Sequence, residues 1–196
     1  MTSLKDAKKW LRAYFTSQRK DLSKKTRTVC SQRAVSHFLN SSAYKRSKII
    51  GVYLSFGSEI ETSGLIERAW RDKKVVGLPI TKNGLTRPYF GEYKKDSRLV
   101  KSGYGPMELS GFAKKIPFDR FQLIVIPGIA FDQDGFRLGF GGGTYDRIMK
   151  KTRRAFHMGL GFDIQRGVRL PRGEHDQKLD GLTTEKGVRT FAKPGD

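Results

Sequence analysis

The sequence predicts an α/β protein forming one domain over residues 1–196, with a mostly parallel sheet covered by helices on both faces. Three observations lead there. β-branched apolar runs recur along the chain, segments with helical periodicity alternate with them, and Phe121 to Ile126 (FQLIVI) is continuously apolar. Strands buried on both faces require that last feature. Hydrophobic residues make up 37% of 196 residues, so a core can form without cross-links.

Element by element, Leu4, Ala7, Leu11, Tyr14 and Phe15 recur at helical spacing, which predicts an amphipathic helix to about Gln18 with Lys5, Lys8, Lys9, Arg12 and Arg19 on other faces. Ser23 caps a second helix over Lys24 to Leu39, ended by Asn40, Ser41 and Ser42. Lys48 to Ser55 is a buried strand, followed by a turn at Gly57 and a helix carrying Ile60, Leu65, Ile66, Ala69 and Trp70. Val75 to Leu78 is a strand stopped by Pro79, Arg87 to Tyr93 a partly exposed strand, and Gly103 to Phe118 a long surface loop. Phe121 to Ile126 is a strand ended by Pro127-Gly128. Asp146 to Arg153 is a helix, Ala155 to Phe162 a strand and Gly187 to Phe191 a short last one. Ligand sites in such a sheet lie at the carboxyl ends of the strands.

Composition narrows the function. The one cysteine, Cys30, supports neither an internal disulfide nor a cysteine metal cage, which fits a reducing compartment. No apolar run reaches the roughly 20 residues that span a bilayer, so a cytoplasmic protein is expected. A net charge of +20 calls for an anionic ligand or partner. The first 50 residues hold 13 Lys or Arg against only Asp6 and Asp21, which a mitochondrial presequence would also explain.

The most informative segment is GFRLGFGGGTYDR, Gly135 to Arg147. Gly139, Gly141, Gly142 and Gly143 stand directly before a predicted helix, where backbone N–H groups can surround a phosphate; a tight structural turn would need the same glycines. The segment lacks the Gly-Lys-Ser/Thr of a P-loop, and Thr144 replaces the third glycine of a dinucleotide motif. Arg137, Tyr145, Asp146 and Arg147 flank it with charge and a ring. Asp146 reads as a magnesium ligand or as a first-turn dipole complement. Asp132, Asp134 and Gly135 read as a turn, because the glycine comes too early for a calcium loop. In Leu170 to Thr184 the His175-Asp176 neighbours suit proton or metal chemistry, or plain solvation. Glu61, after a predicted strand, could bind an amino-heterocycle or open the next helix. His37 and His157 have packing or surface roles.

Three stretches, SFGSEIET, IPGIAFDQDGFRLGFGGGTYDR and LPRGEHDQKLDGLTTEKGV, together resemble the 5-formyltetrahydrofolate cyclo-ligase family, and the likeness runs from about Lys8 to Val188. The basic opening Lys8-Lys9-Trp10-Leu11-Arg12 resembles the family's own, which argues against a cleaved presequence. The resemblance implies a ribose-5-phosphate isomerase/CoA-transferase-like fold and a Mg²⁺- and ATP-dependent conversion of 5-formyltetrahydrofolate to the 5,10-methenyl form. It implies an ATP site of Lys8, Arg12, Arg137, Leu138, Gly139, Phe140, Gly141, Gly142, Gly143, Thr144 and Tyr145, with Arg137, Tyr145 and Asp146 catalytic. Asp146 and Asp176 match metal positions, and Phe56 and Glu61 match the folate pocket. At Thr144 the family usually carries tyrosine. The expected state is a monomer, and the positive charge suits ATP and a polyglutamylated folate tail.

Two other classes remain open on the residues alone. A nucleic-acid-binding protein would use the basic helix pair bearing Trp10, Tyr14 and Phe15, with steeply salt-sensitive binding. A sugar-phosphate isomerase or acyl-CoA transferase on the same fold would work without ATP.

Overall fold

Ser3, Ser23 and Ser41 each accept, through the side-chain hydroxyl, the backbone N–H three residues on, which starts the first three helices where free N–H groups would otherwise stand. The computed structural model describes residues 3–80, 88–101, 107–110, 113–167 and 169–192. In chain order the elements begin with α1 (Leu4–Asp21), α2 (Lys24–Asn40), α3 (Ser42–Arg46), β1 (Ile49–Gly51), α4 (Ser63–Arg71), β2 (Val75–Ile80), β3 (Tyr89–Glu92), β4 (Leu99–Lys101), β5 (Met107–Leu109) and β6 (Lys115–Ile116). They continue with β7 (Leu123–Ile126), β8 (Ala130–Asp132), β9 (Arg137–Leu138), α5 (Thr144–Lys151), β10 (Phe156–Leu160), β11 (Arg166–Gly167), β12 (Gly181–Thr184) and β13 (Gly187–Thr190).

The main sheet has the order β13-β12-β10-β7-β1-β2-β3-β6. Its five central strands, β12 to β2, run parallel, while β13 pairs antiparallel on one edge and β3 on the other, where β6 in turn pairs antiparallel with β3. Strand β7 shows why its run had to be apolar throughout. Leu123 and Val125 pack into a cluster with Phe38, Tyr44, Leu65 and Ile66 from α2, α3 and α4. Ile124 and Ile126 point the other way, into a cluster with Ile148 and Met149 of α5. All four are fully buried, and each such side chain contributes about 1.5–3 kcal/mol. The α/β fold with helices on both faces is therefore as the sequence led us to expect.

Some elements differ from expectation. The strand expected over Lys48 to Ser55 narrows to Ile49–Gly51, although Val52 N still donates to Gly77 O at 2.9 Å. Beyond it the chain leaves the sheet to build the site. Strand β2 runs through Pro79 instead of stopping there. Carbonyl Gly77 faces β1 and Val76 faces β3, so by alternation the missing N–H of Pro79 lies on the β1 side, past the last β1 partner at Gly77. Within the expected surface loop Gly103 to Phe118, the described residues carry β5 and β6; residues 102–106 and 111–112 lie outside the described residues, as does Arg87 of the expected partly exposed strand. In that strand Phe90 and Gly91 are buried while Tyr89 and Glu92 are half-buried, in keeping with a partly exposed strand.

Candidate active site

The chain leaving the carboxyl ends of β1, β2 and β7 supplies Tyr53, Leu54 and Phe56, then Leu78 and Pro79, then Pro127, to one cavity of about 790 Å³. Helix α1 adds Leu4, Lys5, Lys8 and Arg12, β5 adds Met107 and Glu108, and the entire stretch Arg137 to Asp146 and Asp176 complete the wall. The site thus lies where a parallel sheet places ligands.

Within it, the glycine loop meets α1 directly. Arg12 Nε donates to the Gly139 carbonyl at 2.8 Å. A Cβ on Gly139 would stand 2.7 Å from Arg137 Nη1, so this glycine makes room for a guanidinium. Gly143, at φ +63°, turns the chain into α5 without any side-chain cap, leaving the first N–H groups of that helix for a ligand. The Arg137 side chain is only 4% exposed; its Nε and Nη2 are buried without a hydrogen-bond partner, although Nη2 stands 3.1 Å from Asp146 Oδ1. Its guanidinium also lies 5.7 Å from the centre of the Tyr145 ring. A buried cation with unused donors, beside uncapped amides, is suited to receive an anion.

Each cavity carboxylate of the metal reading is held by one cation. Lys8 Nζ lies 2.5 Å from Asp176 Oδ2, which also accepts the Gly173 N–H at 2.8 Å. Burial opposes ionisation of Asp176, but these donors outweigh it and keep the carboxyl below its usual range. Asp146 faces Arg137 and accepts the Gln177 N–H at 3.3 Å. Among the described residues no group of three or more His, Cys, Asp or Glu forms a metal cage. A magnesium ion here would have to take most of its ligands from phosphate and water, which is its habit.

Glu61 does not join the others. It lies outside this cavity, against α2, where Thr28 donates to it at 3.2 Å and its own N–H donates to Ser31 Oγ at 3.1 Å. The carboxylate that does line the cavity is Glu59, two residues earlier. The turn at Gly57, φ +62°, lets Phe56 N donate to Glu59 Oε2 at 3.0 Å, and Ile60, 2% exposed, separates the two glutamates. Burial pushes the Glu59 carboxyl up, against the Phe56 N–H and the nearby Arg19 charge. Burial also pushes the Tyr53 and Tyr145 hydroxyls well up, and the Glu59 charge adds to both shifts, so both are neutral donors. Of the remaining candidates, Phe56 and Phe140 line the cavity, 51% and 67% exposed, as Thr144 does. His175 is exposed and pairs with Glu174 outside the cavity. Arg172 bridges Asp132 and Asp134, and Asp132 Oδ1 accepts the N–H groups of Asp134 and Phe136, so that segment is the turn expected. Buried His157 bonds Thr152, a packing role, and His37 is exposed.

Comparison with known proteins decides the lineage: residues 4–185 match the family model described as the 5-formyltetrahydrofolate cyclo-ligase family. The chain belongs to that family. Among similar cyclo-ligases, the Haemophilus influenzae 5-formyltetrahydrofolate cyclo-ligase is 31% identical over 76% of this chain and 81% of its own length. Its Escherichia coli K12 counterpart is 29% identical over 87% and 96%. A solved structure, the Aquifex aeolicus 5,10-methenyltetrahydrofolate synthetase, superimposes with TM-score 0.84 at 28% identity, covering 96% of this chain and 95% of that one. No described helix of this cyclo-ligase family member is long and apolar enough to cross a membrane.

Proposed function

We propose that the protein converts 5-formyltetrahydrofolate to 5,10-methenyltetrahydrofolate with consumption of ATP. The observation that carries this reading is the convergence, in one cavity, of the unsatisfied Arg137 guanidinium and the Gly143 turn with Glu59, Tyr53 and Phe56. Membership of the cyclo-ligase family supports it. In this reading Lys8, Arg12, Arg137 and the Gly139 to Thr144 amides receive the triphosphate, while Glu59 accepts N–H donors of the pterin. That assignment replaces Glu61 as the folate carboxylate.

The chemistry needs orientation and charge neutralisation more than a protein nucleophile. The formyl oxygen attacks the γ-phosphorus, and ADP leaves. N10 then attacks the activated carbon, phosphate departs with the former formyl oxygen, and the N10 proton is lost. Arg137, buried and with donors to spare, neutralises charge growing on the phosphoryl oxygens. Neutral Tyr145 presents its ring to that guanidinium, with the ring centre 5.7 Å away. Asp146 and Asp176 would hold Mg²⁺, and the ion would supply further neutralisation of phosphate charge. The ammonium of Lys8 and the guanidinium of Arg137 would then exchange carboxylate partners for phosphate.

The test is stoichiometry. ADP release should require 5-formyltetrahydrofolate and equal the methenyl product formed. ATP hydrolysis that ignores the folate would overturn the coupling.

A further inference from the structure

Arg19 is a charged side chain that the scheme above leaves unused. It projects from α1 into the interior and is 4% exposed, a costly placement for a guanidinium without a full set of partners. Its Nε donates to Ser58 Oγ at 3.0 Å, and Ser58 lies within the Phe56–Glu59 turn that presents Glu59 to the cavity. No direct ion pair joins Arg19 to Glu59, yet each lies within electrostatic reach of the other. This arrangement has a chemical consequence. A direct pair would occupy the Glu59 oxygens, whereas a cation held one residue away lends its charge and leaves Oε1 without a hydrogen bond among the described residues. The other groups acting with this carboxyl are the Phe56 N–H and the neutral hydroxyls of Tyr53 and Tyr145; the remaining charged residues of the cavity wall are Lys5, Lys8, Arg12, Glu108, Arg137, Asp146 and Asp176.

We propose that Arg19 is a positioning residue for the folate: it braces the Phe56–Glu59 turn through Ser58 and supplies the positive charge that keeps Glu59 ionised and open to pterin N–H donors. This rests on the assignment of Glu59 to the folate pocket. It reaches further, because it makes α1 serve both substrates, ATP through Lys8 and Arg12 on one stretch and folate through Arg19 two turns on.

The experiment compares Arg19→Met, Arg19→Lys and Ser58→Ala with the unaltered enzyme, measuring KM for 5-formyltetrahydrofolate and for ATP from pH 5 to 8. Arg19→Met should raise the folate KM about 10-fold at pH 7, equivalent to about 1.4 kcal/mol, with the ATP KM within about 2-fold. Removing a positive neighbour raises a carboxyl pKa, so the acidic limb of folate kcat/KM should move to higher pH. Arg19→Lys should return the limb toward its original position. Ser58→Ala, which removes the brace but keeps the charge, should raise the folate KM without moving the limb. Should Arg19→Met not fold, the Arg19→Lys and Ser58→Ala pair decides: a shifted limb with Ser58→Ala, or no folate effect in either variant, overturns the proposal. Equal losses for ATP and folate, or an unmoved limb in folded Arg19→Met, also overturn it. Glu59→Gln separates the two levels: without a folate effect there, the Glu59 assignment itself fails, whereas a Glu59 effect with a silent Arg19 sinks only the present inference.

Discussion

Replacing Glu59 by Gln removes one charge at nearly constant shape and bears on both binding and stability. In the complex the carboxylate would form charge-assisted hydrogen bonds to pterin N–H groups, each worth about 1.5–3 kcal/mol. Loss of one such bond corresponds to about a 10- to 150-fold rise in the folate KM, at roughly tenfold per 1.4 kcal/mol. In the proposed complex the ATP phosphates would engage Arg137 and the glycine loop, not Glu59, so the ATP KM should change less than about 2-fold. Stability should move in the other direction. Burial raises the Glu59 pKa in the folded protein, so the folded state binds this proton more tightly than the unfolded chain. Glu59 therefore costs stability increasingly as pH rises from the unfolded value through the folded one. The glutamine variant should melt higher than the unaltered protein at pH 7, with the difference vanishing at acidic pH. Steady-state kinetics with each substrate varied, alongside thermal melts at pH 4 and 7, supply the readouts. Equal effects on both substrates would refute the division of the cavity, and so would a folate KM untouched in Glu59→Gln. Glu61→Gln is the matched control and should leave the folate KM unchanged, since Glu61 bonds Thr28 and Ser31 outside the cavity.

Three further outcomes follow from particular contacts. Gly143→Ala forces a Cβ into φ +63° and within 3.0 Å of Arg147 Nη1; stability should fall by about 1–2 kcal/mol, and calorimetry should show weaker ATP binding. Asp146→Ala should abolish turnover while circular dichroism stays close to the parent, since Asp146 sits in the first turn of α5 at the cavity wall, and the melting temperature should fall because the buried Arg137 guanidinium loses its counter-charge. Phe131→Ala empties a fully buried ring packed against Gly128, Gly159 and Gly161, so denaturant unfolding should register a loss of about 3–5 kcal/mol.

Legibility in the sequence followed the strength of the local signal. Helices α1 and α2 carry serine caps and periodic apolar residues, and their bounds fell within about three residues of expectation. Strand β7 announced itself by an unbroken apolar run. By contrast β12, Gly181–Thr184, is fully buried yet reads as GLTT; its glycine and threonines conceal burial that only neighbouring strands β10 and β13 create. Strands β8, β9 and β11 are two or three residues long, too short for any periodicity to register. The glycine-loop wall of the cavity was legible as a group, because glycines, arginine and aspartate are contiguous there. The Glu59 wall was legible only as a motif: Glu59 and Glu61 are two residues apart, and the Gly57 turn, not their identity, decides which one faces the cavity. Arg19 was read merely as one cation of a helix face, since burial of its head depends on the distant turn at Ser58.

The most direct measurement of the proposed activity is the ultraviolet absorbance of purified protein mixed with 5-formyltetrahydrofolate, magnesium and ATP, followed beside a control without ATP. Methenyl product should accumulate only in the complete mixture. Folded protein that binds both substrates and forms no methenyl product, or forms it equally without ATP, would contradict the ATP-dependent ring closure.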